Sequence, residues 1–226
     1  MAARMRADAQ RNRERILLAA RQVFVDQGPD VALEKIARRA GVGIATLYRR
    51  FPSRADLIRG VIAETLTGLY DHVRRAIEQE PDEFEALRRA MHTALELELG
   101  VLFSTLSGRF AVDDLIEESQ RDAAALLQGL VFRAQAAQLL RDDVGFGDIV
   151  LAIIRLGRPL PGRLLPLDRD LAHRQLELYL DGLRPAAALS RTAPLPGPMI
   201  SLGWFRRFRR QFGPAWGPAS ENSEKG

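Results

Sequence analysis

The sequence contains no cysteine in its 226 residues. This absence excludes disulfide-bonded scaffolds, thiolate metal sites and cysteine nucleophiles. Long apolar runs are also missing, and none approaches the ~20 residues that a membrane-spanning helix requires. The first residues, Met1 to Asp8, are polar and carry arginine, unlike the apolar centre of a secretory signal peptide. We therefore expect a cytoplasmic location and no membrane partner.

Histidine is scarce, and its placement argues against a metal site. The three histidines, His72, His92 and His173, fall in three different expected helices, and none is four residues from another. The sequence also has no glycine-rich phosphate loop and no Ser-His-Asp order. We therefore predict no catalytic residues, no metal and no cofactor, so that the protein is not an enzyme.

The net charge of +4 is unevenly distributed along the chain. Residues 1–60 carry 13 basic and 6 acidic side chains, whereas residues 61–190 carry 14 basic and 21 acidic ones. Residues 191–226 are basic again, with 6 basic and 2 acidic side chains. A basic head on an acidic body indicates a head that binds nucleic acid.

Apolar residues recur at helical spacing almost everywhere, without a sustained two-residue alternation, which predicts an all-α fold. A first helix should end at Gly28-Pro29, because glycine and proline stop helices. The later helices are expected at Asp30 (as N-cap) to Gly41, Ile44–Arg50, Ser53 (as N-cap) to about Glu80, about Asp82–Phe103, about Asp113–Arg141, near Asp148 to Gly157, and Asp168–Leu183.

Residues 32–51 have the most specific spacing in the chain. Two helices joined by a tight turn need a small residue at their crossing, a residue that tolerates positive φ, and an apolar anchor, and Ala37, Gly41 and Leu47 meet these needs. This spacing is typical of a helix-turn-helix, whose second helix enters the major groove of double-stranded DNA. The alternative is a two-helix turn packed in a core. The second helix is too polar for that, since it carries Thr46, Tyr48, Arg49 and Arg50.

Further residues around this motif match a known family. They are Ile36-Ala37-x-x-Ala40-Gly41-Val42, Thr46-Leu47-Tyr48-Arg49-Arg50-Phe51, Ser53-Arg54, Leu57, and upstream Arg13, Ile16, Ala20, Phe24 and Gly28. Over residues 11–69 the sequence resembles the TetR family of bacterial transcriptional regulators. Residues 168–183 resemble one branch of that family more loosely. The resemblance implies a three-helix DNA-binding head with the helix-turn-helix and a larger helical-bundle body for regulation and dimerisation.

This resemblance divides the chain into four parts. Residues 1–10 form a basic N-terminal arm, residues 11–69 the DNA-binding domain, and residues 70–185 the effector-binding and dimerisation domain. Residues 186–226 are rich in proline, glycine and arginine, and we predict a disordered tail. Within the tail, Trp204–Phe212 alternates aromatic and basic residues, so a short peptide that contacts a membrane surface or nucleic acid is the alternative.

The resemblance also implies which side chains contact DNA. Tyr48 stands where the family has a phosphate-contacting tyrosine, and Arg54 stands where a basic residue should hold a phosphate. Thr46 occupies a position that packs against or contacts the backbone. Arg50 replaces a histidine that the family often has before Phe51, and its charge permits another phosphate contact. Gly43 stands where the family usually has serine or threonine, and Val31 and Ala32 stand where a hydroxyl residue usually opens the second helix. Phosphate binding should therefore depend more on arginines, namely Arg39, Arg50, Arg54 and the arm's Arg4, Arg6 and Arg11. The exposed start and flank of the recognition helix supply the candidates for base reading: Ile44, Ala45 and Arg49.

We expect a sequence-specific regulator that binds a palindromic operator as a homodimer, with its two heads about one helical turn (~34–36 Å), or a multiple of it, apart. The apolar segment 149–156 and the segment 168–183 are the expected dimer interface. The resemblance implies a repressor that a small-molecule effector releases from DNA, and it assigns neither the effector nor its pocket residues. The alternatives are an effector-free dimeric DNA-binding or architectural protein and an activator.

Overall fold

The computed structural model describes residues 2–106, 113–158 and 168–186, together with the single residues Leu195, Met199, Ser201 and Gly203. The predicted peptide Trp204–Phe212 lies outside these residues. Within the described ranges the chain forms nine α-helices and no strand. In chain order they are α1 (Ala2–Gln27), α2 (Leu33–Ala40), α3 (Ile44–Arg50), α4 (Arg54–Gln79), α5 (Glu83–Glu96), α6 (Leu99–Leu106), α7 (Asp113–Ala136), α8 (Phe146–Leu156) and α9 (Asp168–Gly182).

The first three helices pack into a small head around one apolar core. Ile16 and Phe24 of α1, Ile36 of α2 and Leu47 of α3 are at most 1% exposed. The first turns of α4 close this core with Leu57, which is also fully buried. The all-α prediction is confirmed. None of the described helices is both long and apolar enough to cross a membrane.

The helix boundaries of the head follow local capping chemistry. Gly41 adopts φ 64°, and the amides of Gly41 and Val42 bond back to Arg38 and Ala37, which ends α2 in a Schellman motif. Ser53 caps α4, because its Oγ accepts from the Asp56 amide at 3.1 Å while Asp56 accepts from the Ser53 amide. The Ser53 hydroxyl also donates to Asp56 Oδ2 at 2.7 Å, and this bond, followed by the one from the Ser53 amide, lowers the pKa of Asp56. The predicted bounds of α3 and start of α4 are confirmed.

The prediction that Asp30 caps the second helix is wrong. The helix begins at Leu33, and its N-cap is Ala32, which has no side-chain cap. The loop before α2 is instead held by Arg54 at the start of α4, because its Nη1 donates to the carbonyls of Pro29 and Val31 at 2.7 Å each. The helix therefore starts at Leu33, two residues later than the Val31 that an Asp30 N-cap predicts.

Helix α4 connects the head to the body. Its 26 residues correspond to about 39 Å at ~1.5 Å per residue. It packs against α1 in the head and against α5 and α7 in the body. A displacement of α4 by the body would therefore move the head directly.

The single helix expected over Asp82–Phe103 is in fact two helices. The chain breaks at Leu97 and Glu98, and Glu98 adopts φ 57° without being glycine. The break directs α6 onto α8, where Gly100 is so close that a Cβ on it would be 2.9 Å from the carbonyl oxygen of Ile153. Tertiary packing therefore fixes this break, and no glycine or proline marks it in the sequence.

This close approach predicts opposite effects for two glycine substitutions. Gly100→Ala should lower the free energy of unfolding by about 1–3 kcal/mol, because its methyl group meets backbone atoms of α8. Gly68→Ala should raise it by about 0.5–1 kcal/mol, because this helical site has open space. Urea unfolding of both variants measures the difference. If both variants change the free energy of unfolding equally, α6 and α8 can move apart at Gly100 without loss of stability.

The helix expected to run to Arg141 also ends early. It stops at Ala136, and Gln138 adopts φ 56° in the turn that follows. Arg141 lies beyond the end of α7. Its backbone amide donates to the carbonyl of Leu183, the residue that follows α9, at 3.0 Å. The next helix, α8, begins at Phe146, two residues before the predicted start at Asp148. The N-cap of α8 is Gly145, and its amide donates to the carboxylate of Asp148 at 2.8 Å.

Two of the three histidines meet where α5 packs on α9. The rings of His92 and His173 are stacked, with centroids 4.9 Å apart, and His92 Nε2 lies 2.5 Å from Glu177 Oε1. His72 stays apart, with its Nδ1 2.6 Å from the carbonyl of Gly68. No group of three or more histidine, aspartate or glutamate side chains suited to a metal ion is found in the described ranges.

This histidine pair predicts an acid-sensitive body. Burial, and then the charge of His92, lower the pKa of His173 below its ordinary 6.5. At pH values between this lowered pKa and 6.5, the folded state therefore binds fewer protons than the unfolded state. Stability should therefore rise with pH up to about 6.5 and fall as the pH is lowered below it. Thermal unfolding between pH 5.5 and 7.5 tests this. His173→Gln should flatten the profile.

Candidate nucleic-acid interface

The recognition helix α3 is held to the head by one side. Leu47 is fully buried and Ala37 is 3% exposed at the α2–α3 crossing, while Gly41 provides the left-handed turn between the helices. The helix has only seven residues, so a single buried leucine is enough to orient it. The remaining residues of α3 are exposed or half-buried.

The open sides of α3 carry most of the residues predicted to contact DNA. Tyr48 is 47% exposed, and Ala45, Arg49 and Arg50 are exposed as well. Thr46 is half-buried, as is Ile44, which packs partly against the core of the head. Among the described residues, neither Arg49 nor Arg50 has an ion pair or a side-chain hydrogen bond. Both guanidinium groups are therefore available to an external anion.

Two of the predicted phosphate contacts are already hydrogen-bonded inside the head. Arg54 is half-buried and binds the loop carbonyls of Pro29 and Val31. The exposed Arg39 donates from Nε to Gln22 Oε1 at 2.9 Å. A guanidinium has five N–H donors, so each retains donors for a phosphate. Arg54 thus has a positioning role that the sequence did not predict.

A groove runs between α1 and α3 and has a volume of about 370 Å³. Its lining residues are Asp8, Ala9, Asn12, Thr46, Arg49 and Arg50. Sequence reasoning missed Asp8 and Asn12, because it treated residues 1–10 as an arm, whereas the chain is helical from Ala2. The available signal was the inward stripe of α1, which changes from apolar to polar just before Ile16.

Sequence comparison matches both parts of the chain to known families. Residues 16–61 match the family of bacterial regulatory proteins called the tetR family. Residues 82–185 match the C-terminal domain of SbtR-like transcriptional regulators. The first match contains α2 and α3, and the second contains the helices from α5 to α9.

Among curated proteins, the chain is 29% identical over 96 residues to an HTH-type transcriptional regulator of Staphylococcus aureus. This alignment covers 42% of the chain and 52% of the relative, so the chain spans about half the length of the curated relatives it matches.

Two solved structures with the same fold are complexes with small molecules. FadR of Bacillus subtilis, in complex with stearoyl-CoA, has 17% identity and a TM-score of 0.57, and it covers 76% of the chain and 99% of its own. LfrR of Mycobacterium smegmatis, in complex with proflavine, has 24% identity and a TM-score of 0.55. Its alignment covers 82% of this chain and 99% of the LfrR chain.

Two further solved structures are more similar in sequence. A TetR transcriptional regulator from Streptomyces coelicolor is 34% identical, with a TM-score of 0.60, and the alignment covers 76% of this chain and 98% of that one. A TetR regulatory protein from Mycobacterium vanbaalenii is 30% identical with a TM-score of 0.60, covering 80% and 99%. This chain, whose recognition helix is exposed, belongs to the tetR family of bacterial regulatory proteins.

Proposed function

We propose that the protein is a repressor that binds a palindromic operator as a homodimer and is released by a small-molecule effector. The observation that carries the proposal is the recognition helix, anchored by Leu47 and presenting unpaired Arg49 and Arg50 to solvent. The proposed phosphate contacts are Arg39, Thr46, Tyr48, Arg50 and Arg54. The proposed base contacts are Ile44, Ala45 and Arg49, of which Arg49 can bind guanine O6 and N7 in a bidentate manner.

The proposed dimer interface lies on α8 and α9, which pack against each other. Leu178 of α9 is 64% exposed, and Leu151 and Ile154 of α8 are only half-buried. Apolar side chains on one face of two adjacent helices suit a two-fold interface, in which the same patch meets its copy. Sedimentation equilibrium should give a dimer, and Leu178→Glu should dissociate it. A wild-type monomer at micromolar concentration would contradict the proposal.

Effector control is proposed from the way α4 joins the two domains. A ligand that binds the body better in one position of α4 shifts the population toward that position, which changes the spacing of the two heads. FadR and LfrR, which share this fold, were solved in complex with stearoyl-CoA and with proflavine, and these complexes support a small-molecule effector. A thermal-shift screen of small molecules, followed by DNA-release assays with each hit, tests this. A screen without any DNA-releasing hit favours the effector-free alternative.

DNA binding itself is tested by selection from random DNA. The purified protein is given duplexes with about 26 random base pairs, enough for two half-sites one helical turn apart, and bound DNA is amplified over several rounds. The expected product is a palindromic consensus, called the selected site below. Recovery of unrelated sequences would contradict a sequence-specific regulator. A reporter gene carrying the selected site then distinguishes a repressor from an activator.

Salt dependence tests the arginine-based phosphate contacts. The two heads present three proposed phosphate-binding arginines each, and the slope of log K against log salt is about −0.9 per neutralised phosphate, so we expect a slope near about −5. Fluorescence anisotropy with the selected site between about 50 and 200 mM salt measures it. A nearly flat response would mean that these arginines do not bind the backbone.

A further inference from the structure

The groove between α1 and α3 brings residues of α1 close to the recognition helix. The inward stripe of α1 is apolar where it packs in the head, at Ile16 and Phe24. Further toward the N-terminus, one turn at a time, the same stripe carries Asn12 and then Asp8. Both line the groove opposite Thr46, Arg49 and Arg50. A helix that changes from apolar to polar along one face there faces something other than a protein core.

We propose that α1 is a second base-reading element of the head, in which Asp8 and Asn12 contact the edges of bases beside those read by Arg49. This inference rests on the proposed function of α3. Arg49 lines the same groove as Asp8 and Asn12, so all three side chains border the space that a base edge would enter. Asparagine pairs with adenine N6 and N7, and aspartate accepts from cytosine N4.

The charge of Asp8 argues for a base contact and against a phosphate contact. A carboxylate repels phosphates, so in a groove that faces DNA it gains only from a donor, and the amino groups of bases are the donors that DNA offers. In the free protein Asp8 is paired with Arg11, three residues along α1. Both side chains are more than half exposed, and such surface pairs contribute little, so the carboxylate can exchange this partner for a base.

A carboxylate in this position contributes mainly by lowering the affinity for sequences that place a hydrogen-bond acceptor opposite it. Opposite cytosine N4 or adenine N6 it accepts a hydrogen bond, whereas opposite guanine O6 or thymine O4 it faces another acceptor and is left unpaired. Asp8 therefore lowers the affinity for wrong sequences more than for the selected site. Asn12, which can donate and accept, adds affinity at a neighbouring base.

The test compares Asp8→Asn with Glu14→Gln. Both remove one carboxylate from α1, but Glu14 is two residues from Asn12 and so lies on the opposite face of the helix. Each variant, Asn12→Ala and the wild type are taken through selection from random DNA. Their affinities for the wild-type selected site and for random duplex are then measured at one salt concentration, together with their melting temperatures.

For Asp8→Asn we expect tighter binding to random duplex, a drop of about fivefold or more in the ratio of specific to random affinity, and a consensus relaxed at one position in each half-site. Asn12→Ala should relax an adjacent position, and Glu14→Gln should change the ratio less than twofold. If Asp8→Asn raises both affinities equally, Asp8 only weakens general attraction to DNA, and the inference is overturned. An unchanged consensus overturns it as well. If the wild type itself selects no consensus, the proposed function fails, and the inference fails with it.

Discussion

Replacing Arg49 by alanine is expected to weaken binding to the selected site by about 2–6 kcal/mol per dimer. A bidentate arginine–guanine contact contributes about 1–3 kcal/mol of discrimination, and a dimer on a palindrome makes this contact twice. Arg49 is exposed on α3, and the described residues leave it no internal partner. Its removal should therefore spare the fold and leave the free energy of unfolding nearly unchanged.

The control for Arg49→Ala is Arg133→Ala, which removes the same charge from an exposed site in the last turn of α7. It should leave DNA affinity nearly unchanged, because α7 belongs to the body. Anisotropy titrations with the selected site and with random duplex separate two roles of Arg49. A base-reading arginine affects the selected site far more than random DNA. Equal losses on both would reassign Arg49 to phosphate binding.

The helix-turn-helix could be predicted because its determinants are local. Ala37, Gly41 and Leu47 lie within eleven residues, and each meets a requirement of the turn itself: close approach, positive φ and one apolar anchor. Gly41 indeed has φ 64°, and Leu47 is fully buried. A short amphipathic helix with one buried leucine leaves its other side chains exposed, so the exposure of Arg49 and Arg50 followed from the same pattern.

The breaks in the body could not be predicted, because contacts distant in sequence fix them. Glu98 and Gln138 adopt positive φ, yet neither is the glycine or asparagine that usually marks such a turn. The first break brings Gly100 against Ile153 and Gly157, and the second delivers Arg141 to the end of α9. Hydrophobic periodicity continues across both positions, so periodicity alone predicts unbroken helices.

In the candidate site too, features fixed by neighbouring residues could be predicted, whereas contacts between residues far apart in the sequence could not. Which side chains of α3 face outward was readable from its own seven residues. The bonds of Arg54 to the loop before α2 join residues more than twenty positions apart, and the groove joins Asp8 to Arg50. The stacked His92 and His173 are 81 positions apart. Each of these depends on how helices pack, which a single sequence does not specify.

Arg141 links the loop between α7 and α8 to the end of α9, and its replacement by methionine should cost about 3 kcal/mol of unfolding free energy. Its side chain is only 7% exposed, and it binds Asp143 through two bonds of 2.6 and 2.8 Å. Nη1 also donates to the carbonyl of Gly182 at 3.1 Å, at the end of α9. Methionine keeps the apolar stem but removes the two bonds to Asp143 and the bond to the carbonyl of Gly182. Asp143 is 44% exposed and can be hydrated, so the loss should stay near the lower limit for buried pairs.

Urea unfolding at several protein concentrations measures this loss, since the stability of a dimer depends on concentration. Arg133→Met is the matched control, because it makes the same substitution at an exposed site of α7, and we expect a change within about 0.5 kcal/mol. Asp143→Asn should cost less than Arg141→Met, since the guanidinium keeps its bond to Gly182. Arg141 ties the α7–α8 loop to α9, so Arg141→Met should also weaken the proposed dimer. A destabilised variant that still dimerises normally would place the interface away from the end of α9.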